Sequence, residues 1–367
     1  MILLASCVGF LILQDMYLWW RIARAAKAYP SQPVQDGELP RIAVFLAARN
    51  EEANLPGCLE ALGELYYPAD KITFYVGDDA SSDGSRVLLE RWGSRWENRQ
   101  IRFFDHNLEP GQNGKATVLA AMIEEAEADL YLFTDADCRV PPTWAQELVG
   151  AFRAEFGLMT GMTQVVASGW FGRMQAIEWW LSLGMVKVVA DLGFCLTAMG
   201  NNMLISAEGY RQVGGFEAVF GSVTEDLAIS SLMFKAGYRP VHLVNGRCLV
   251  QTNAIGNFSE LMDQRKRWAR GALSLSLFWV VLLAVQVAFF PMVLAGIWSV
   301  PGLFLAGWVL KVGVQSVFIA TFAGKTETKI PILDLMLFES YFFVSSMATL
   351  FYYIWPSPIR WKSRSYR

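Results

Sequence analysis

The chain has 367 residues, 54% hydrophobic and 18% charged, with a formal net charge of −3. A mean hydropathy of +0.30 and a pI near 5.6 exclude a disordered or fibrous chain and give no reason to expect nucleic-acid binding. Five scattered cysteines without a CxxC pair (Cys7, Cys58, Cys138, Cys195, Cys248) make neither a disulfide framework nor a zinc site, and only His106 and His242 remain for imidazole chemistry.

Residues 1–20, MILLASCVGFLILQDMYLWW, are long enough to span a hydrocarbon core. Trp19 and Trp20 close this segment, and Arg21, Arg24 and Lys27 follow it. That order describes an uncleaved anchor whose C-terminal end lies in the cytoplasm, with Gln14 and Asp15 near the interface. Residues 21–40 read as a linker, Pro-bounded between Pro30 and Pro40.

The stretch 41–272 reads as a cytoplasmic domain of alternating strands and helices. Ile42–Ala47, Ile72–Val76, Ile101–Phe104 and Leu130–Phe133 are short β-branched and aromatic runs. Helical patterns lie between them at Asn54–Leu65, Ser85–Trp96 and Lys115–Ala126. Such alternation predicts an α/β fold with a mainly parallel sheet, whose ligands bind beyond the carboxyl ends of the strands.

Polar clusters stand at those ends. Ala48-Arg49-Asn50-Glu51-Glu52 closes the first strand and Asp78-Asp79-Ala80-Ser81-Ser82-Asp83-Gly84 the second. The second cluster is by itself a turn with an N-cap, but an acidic side chain there can also accept a uracil N3–H or bind ribose hydroxyls. After the fourth strand come Thr134-Asp135-Ala136-Asp137. Following the strand, Asp135 and Asp137 are two apart, point to one face and suit a hard divalent cation with oxygen ligands, the alternative being capping of the helix that begins near Pro141-Pro142-Thr143. Thr224-Glu225-Asp226 opens a helix, where acidic residues are common for dipole reasons and where one carboxylate can instead serve as a base.

The pattern Trp170, Met174, Ile177, Leu181, Met185 predicts a helix within 168–195, with Trp179-Trp180 and sparse charge favouring the headgroup layer over a buried core. A further helix is expected over 258–272. On it Gln264, Arg267 and Trp268 are three and four apart and share one face, either as a charge collar or as a diphosphate clamp with an indole beneath a sugar. From 273 to 356 three spans are expected, near 274–298, 302–323 and 331–355. The tail, 357–367, carries Arg360, Lys362, Arg364 and Arg367. Three spans would put it across the membrane from the domain, whereas its charge argues for the same side.

Taken in order, these motifs resemble a membrane-integrated family 2 glycosyltransferase with a GT-A nucleotide-sugar domain. The set includes Gly114-Lys115-Ala116 and Gly200-Asn201-Asn202-Met203, and ends on Gln264-Arg265-Lys266-Arg267-Trp268. It is similar to cellulose, hyaluronan and poly-N-acetylglucosamine synthases and to ceramide-type lipid glucosyltransferases. The resemblance implies a UDP-sugar donor, with Asp79 on the uracil, Glu51 near the ribose and Lys115 near the nucleotide. It implies Mg²⁺ or Mn²⁺ held by Asp135 and Asp137, and Asp226 as the base of a single inverting displacement, with Glu225 beside it. Gln264, Arg267 and Trp268 would line the acceptor and diphosphate pocket.

Four apolar spans are thin material for a polar polymer conduit, so one sugar passed to a membrane lipid at the cytoplasmic face is the expected reaction. A processive polysaccharide synthase is the alternative. The intact acidic motifs speak against an inactive nucleotide-sugar-binding scaffold, and Lys311, Gln315, Asp334 and Glu339 are too few polar residues for a transporter.

Overall fold

The computed structural model describes residues 2–32, 38–105, 112–362 and 364–366. His106, part of the expected linker and Arg367 therefore lie outside the described residues. In chain order the elements begin with α1 (Ile2–Trp20), β1 (Ile42–Ala48), α2 (Leu55–Gly63), β2 (Ile72–Asp79), α3 (Ser85–Gly93), β3 (Arg99–Phe104), α4 (Gly114–Glu124) and β4 (Leu130–Phe133). Next come β5 (Cys138–Arg139), α5 (Trp144–Ala151), β6 (Leu158–Thr160), β7 (Thr163–Val166), α6 (Trp170–Asp191), β8 (Met203–Ser206), α7 (Ala207–Gln212) and α8 (Glu225–Lys235). The last are β9 (Val241–His242), β10 (Val250–Asn253), α9 (Phe258–Ala272), α10 (Leu277–Ile297), α11 (Pro301–Gly324), α12 (Ile332–Ile354), β11 (Ile359–Trp361) and β12 (Arg364–Tyr366). They fall into two compact units: 28–164, 189–253 and 358–367 form one, and 1–27, 165–188 and 254–357 the other.

The first unit is built on a seven-stranded sheet of order β3-β2-β1-β4-β8-β6-β9. Strands β1 to β4 are mutually parallel, and β8 runs against both β4 and β6. The sheet is mixed and mainly parallel, as the alternation of patterns predicts. Along β1, Ile42, Val44 and Leu46 face a layer that includes Leu55, Leu59 and Leu62 of α2 and Trp144 of α5. Ala43 and Phe45 face the opposite layer, with Ala116, Val118, Leu119 and Met122 of α4. Burial on both faces explains why β1 and β4 are unbroken apolar runs.

Helix α4 lies so close to β2 that a Cβ built on Gly77 would collide with Val118 Cγ1. Gly77→Ala is therefore expected to cost about 1–3 kcal/mol through overpacking. A lowered thermal midpoint of the purified protein checks it; an unchanged midpoint would show that Val118 moves aside freely.

The second unit contains α1, α10, α11 and α12, the four helices among the described residues that are long and apolar enough to cross a membrane. Their bounds match the three C-terminal spans expected from hydropathy. Val8, Leu11 and Ile12 pack with Phe289, Phe290, Val293 and Phe304. Asp15 is buried within the protein, where Lys311 Nζ lies 3.7 Å from Asp15 Oδ2 and 3.6 Å from Glu339 Oε1. Lys311 also donates to Gln315 Oε1, and Gln315 donates to Glu339 Oε2. These polar residues tie α1, α11 and α12 together by charge, with Asp15 Oδ2 and Glu339 Oε1 at ion-pair distance from Lys311 and without a hydrogen bond of their own.

Helix α6 forms where its periodicity predicts, and most of its length is buried, with Trp170 exposed at its start. Met174, Ile177, Trp180, Leu181, Leu183 and Val186 are all buried. Gly184 faces Phe318 and Phe322 of α11, and the polar interruptions find partners. Glu178 accepts from Arg265 Nη2 at 2.6 Å and from the Tyr341 hydroxyl at 3.2 Å, and Arg173 pairs with Asp334. With both side chains of the 178–265 pair about nine-tenths buried, Glu178→Ala strands a buried guanidinium. The expected loss is about 3–5 kcal/mol, partly restored by adding Arg265→Met. Chemical unfolding of the two variants checks this; no recovery in the double variant would mean the pair is not the cause.

Candidate active site

The strand order decides which clusters meet. Because β1 lies between β2 and β4, all parallel, the residues following β1 sit between Asp79 on one side and Asp135 on the other. The chain also switches direction across the sheet here, since β2 lies on one flank of β1 and β4 on the other.

At the β1 end Glu51 is fixed on several sides. Its N–H donates to Ser85 Oγ at 2.9 Å, and its Oε2 accepts from Asn54 Nδ2 at 2.8 Å. Its Oε1 receives Lys362 Nζ, from the C-terminal hairpin, at 2.5 Å. Asn50 takes the left-handed conformation (φ 52°), and its N–H donates to Ser81 Oγ. Arg49 donates to the carbonyls of Asp79 and Ala80 and to that of Lys362. Asp78 Oδ2 accepts the Ser81 N–H, so this first aspartate shapes the turn, while Asp79 is buried beside it.

Asp135 and Asp137 follow β4 in a turn, not in extended chain: Cys138 N–H donates to Asp135 O at 3.0 Å. Alternation along a strand therefore does not bring the two carboxylates together; the turn does. Lys115 Nζ bridges Asp135 Oδ1 at 2.6 Å and Glu225 Oε1 at 3.0 Å. Burial would lower the Lys115 pKa, but Asp135 and Glu225 outweigh it and hold the ammonium above its ordinary value. Glu225 Oε2 accepts from Asn113 Nδ2, whose Oδ1 caps α4.

Asp226 projects from the first turn of α8. Its Oδ2 accepts the Gly200 N–H at 3.1 Å and its Oδ1 the Leu227 N–H at 2.8 Å. Burial, then Glu225, push its pKa up to about 6 against the opposing pull of Lys115. Asp137 is likewise pushed up to about 6 by burial, then by Asp135 and Glu51, with Lys362 lowering it. A line of carboxylates thus runs Glu51, Asp137, Asp135, Glu225, Asp226, with two lysines set into it. Perturbation of this kind concentrates at functional sites.

No group of three or more His, Cys, Asp or Glu side chains arranged to hold a metal occurs among the described residues. The fit to a divalent cation rests on donor chemistry: Asp135 and Asp137 are hard oxygen donors whose mutual repulsion a cation would relieve.

The chain matches the family model described as Glycosyl transferase family 21 over residues 5–367. It belongs to that family. Among its relatives, the N-acetylglucosaminyltransferase of Rhizobium leguminosarum bv. viciae is 27% identical over 66% of this chain and 58% of its own length. The beta-monoglucosyldiacylglycerol synthase of Synechocystis sp. is 24% identical over 68% of this chain and 52% of its own. The chain thus spans little more than half the length of these curated relatives. Among solved structures, the mannosyltransferase PcManGT from Pyrobaculum calidifontis, in complex with GDP-Man and Mn²⁺, superposes with a TM-score of 0.57 at 16% identity. The match covers 96% of this chain and 99% of that one. At that identity the likeness is one of fold, and the fold is GT-A with appended membrane-length helices.

The other predicted residues of this family 21 chain, Gln264, Arg267 and Trp268, lie on α9 in the unit of apolar helices, each half-buried. Trp268 stacks edge-on with Trp179 and lies under the Arg265 guanidinium. The two residues between the motif positions are the buried ones. Arg265 pairs with Glu178, and Lys266 Nζ donates to the carbonyls of Trp355 and Ser357 at the end of α12. The Asn201-Asn202 pair is also structural: Asn202 takes the Trp144 indole N–H and donates to Met162 and Cys248 carbonyls.

Sequence reasoning gave no site role to Asn113, Arg49 or Lys362. Asn113 was legible as an Asn-Gly step opening a helix. No local signal announces Lys362, which stands 311 residues from its partner.

Proposed function

We propose that this chain transfers a hexose from a UDP-sugar to a hydroxyl of a membrane lipid, with inversion at the anomeric carbon, at the cytoplasmic face of the membrane. The observation that carries the reading is the Asp226 carboxylate, held by two backbone N–H groups beside the Lys115–Asp135–Glu225 cluster. A base so oriented needs little rearrangement to take a proton from an acceptor hydroxyl. With its pKa near 6 it is ionised at neutral pH yet more basic than an exposed aspartate.

Asp135 and Asp137 would hold Mg²⁺ or Mn²⁺, which supplies Lewis-acid stabilisation to the leaving diphosphate. Lys115 keeps Asp135 oriented and adds fixed positive charge beside the phosphates. Asp79 and Glu51, at adjacent strand ends, offer acceptors to a base and a ribose. Gln264, Arg267 and Trp268 are proposed for acceptor and diphosphate contacts, on the strength of their shared helix face.

The named monoglucosyldiacylglycerol synthase supports a lipid acceptor, and four membrane-length helices support a lipid-borne one. The test incubates the purified protein in bilayers with labelled UDP-sugars, and GDP-mannose in parallel, and partitions the product. Label in organic solvent is the expected result. Label in a high-molecular-weight aqueous polymer would replace the lipid acceptor with processive synthesis, and transfer from GDP-mannose alone would replace the donor.

A further inference from the structure

The C-terminal hairpin belongs to the sheet-bearing unit, not to the helices that precede it. Its register pairs Ile359 with Tyr366 and Trp361 with Arg364, which sets Lys362 at the turn with φ 47°. Such a left-handed residue is what a tight hairpin turn requires. Two contacts hold that turn against the strand ends. Arg49 Nε donates to Lys362 O at 3.0 Å, and Lys362 Nζ meets Glu51 Oε1 at 2.5 Å. Arg49 also holds the Asp79 and Ala80 carbonyls, so one guanidinium ties the ends of β1 and β2 to the tail.

Glu51 is anchored independently by Ser85 and Asn54, so the hairpin comes to the glutamate rather than the reverse. The position of the ammonium is informative. Lys115, the other cation of the cluster, is already shared between two carboxylates and its side chain is only 12% exposed. Lys362 has a side chain 30% exposed, carries three donors, and its charge reaches Asp137. A cation held on Glu51 whose charge is felt at Asp137 is placed to meet a diphosphate that Asp137 would help to hold.

We propose that the C-terminal hairpin completes the donor site and that Lys362 contacts the diphosphate of the bound nucleotide sugar. This rests on the nucleotide-sugar reading above and deepens it. The anionic donor would draw the ammonium from Glu51 alone to Glu51 and phosphate together. A lysine used so carries the distinctive expectation that its worth grows with the number of phosphates on the ligand.

The experiment uses the full-length protein in lipid nanodiscs with Mn²⁺ and measures binding of UMP, UDP, GMP and GDP to wild type, Lys362→Ala and Lys362→Arg. Lys362→Ala is expected to weaken the diphosphate about tenfold to a hundredfold, the range for a charge-assisted hydrogen bond, and the monophosphate much less. Lys362→Arg should restore most of the loss. Diphosphate affinity unchanged in Lys362→Ala, or mono- and diphosphate weakened equally, overturns the proposal. Wild type that binds neither UDP nor GDP overturns the nucleotide-sugar reading itself, and the hairpin's role with it.

Discussion

Replacing Asp226 with asparagine is expected to lower kcat by about 10²–10⁴-fold, the range for a lost general base, while UDP affinity stays near wild type. The substitution keeps shape and one acceptor atom. The loop at Gly200 and the start of α8, whose N–H groups now bond Asp226, should therefore hold their places. What is lost is a carboxylate able to take a proton. Glu225 is poorly suited to substitute, because its two oxygens already accept from Lys115 and Asn113. The pH profile gives a second reading of the same group. Its folded pKa is raised from 3.8 to about 6, so on acidification the base form is lost earlier than for an exposed aspartate. The wild-type kcat should fall about tenfold per pH unit below pH 6. Near-normal turnover by the variant, or a profile flat to pH 5, would show that another group takes the proton.

The sheet and its ligand edge were legible because β1, β2 and β4 announce themselves as short apolar runs ending in polar residues. Period and composition carry that information locally. The same holds for α9 and the three long C-terminal helices. Legibility failed where a residue's role depends on distant partners. Asp15 and Glu178 read as interruptions of apolar helices; Lys311, 296 positions on from Asp15, and Arg265, 87 from Glu178, make them internal ties. Hydrophobic pattern records that a face is apolar and not whether lipid or protein covers it, so α6 reads as interfacial although most of it is buried. The Arg265-Lys266 pair within the Gln264–Trp268 motif shows the converse. The positions the motif leaves undefined carry the buried packing contacts.

After α12 the chain returns to the sheet-bearing unit, where Lys362 meets Glu51 across 311 positions of sequence. Hydropathy marks where the long helices lie and carries no record of that return.

Asp137→Asn is expected to move stability and function in opposite directions. Donor affinity and its dependence on divalent metal should collapse, with kcat/KM down on the order of 10³-fold, because a Lewis-acid cation is worth several kcal/mol to a departing diphosphate. Metal-free protein should nevertheless become more stable. The reason is the sign of the shift: burial, Asp135 and Glu51 raise the Asp137 pKa from 3.8 to about 6 in the folded chain. A carboxyl raised in this way stabilises the fold below its unfolded pKa, and that benefit is lost as pH rises through 6. At pH 8 the ionised group therefore costs on the order of 2–3 kcal/mol relative to a neutral one of the same shape. The amide removes that cost, so in EDTA the variant should unfold at higher temperature than wild type at pH 8, with the gap closing towards pH 5. Adding Mn²⁺ and UDP should reverse the order, raising the wild-type midpoint and leaving the variant where it was. A wild-type midpoint indifferent to Mn²⁺ and UDP, or a variant whose UDP affinity still responds to EDTA, would remove Asp137 from the metal site.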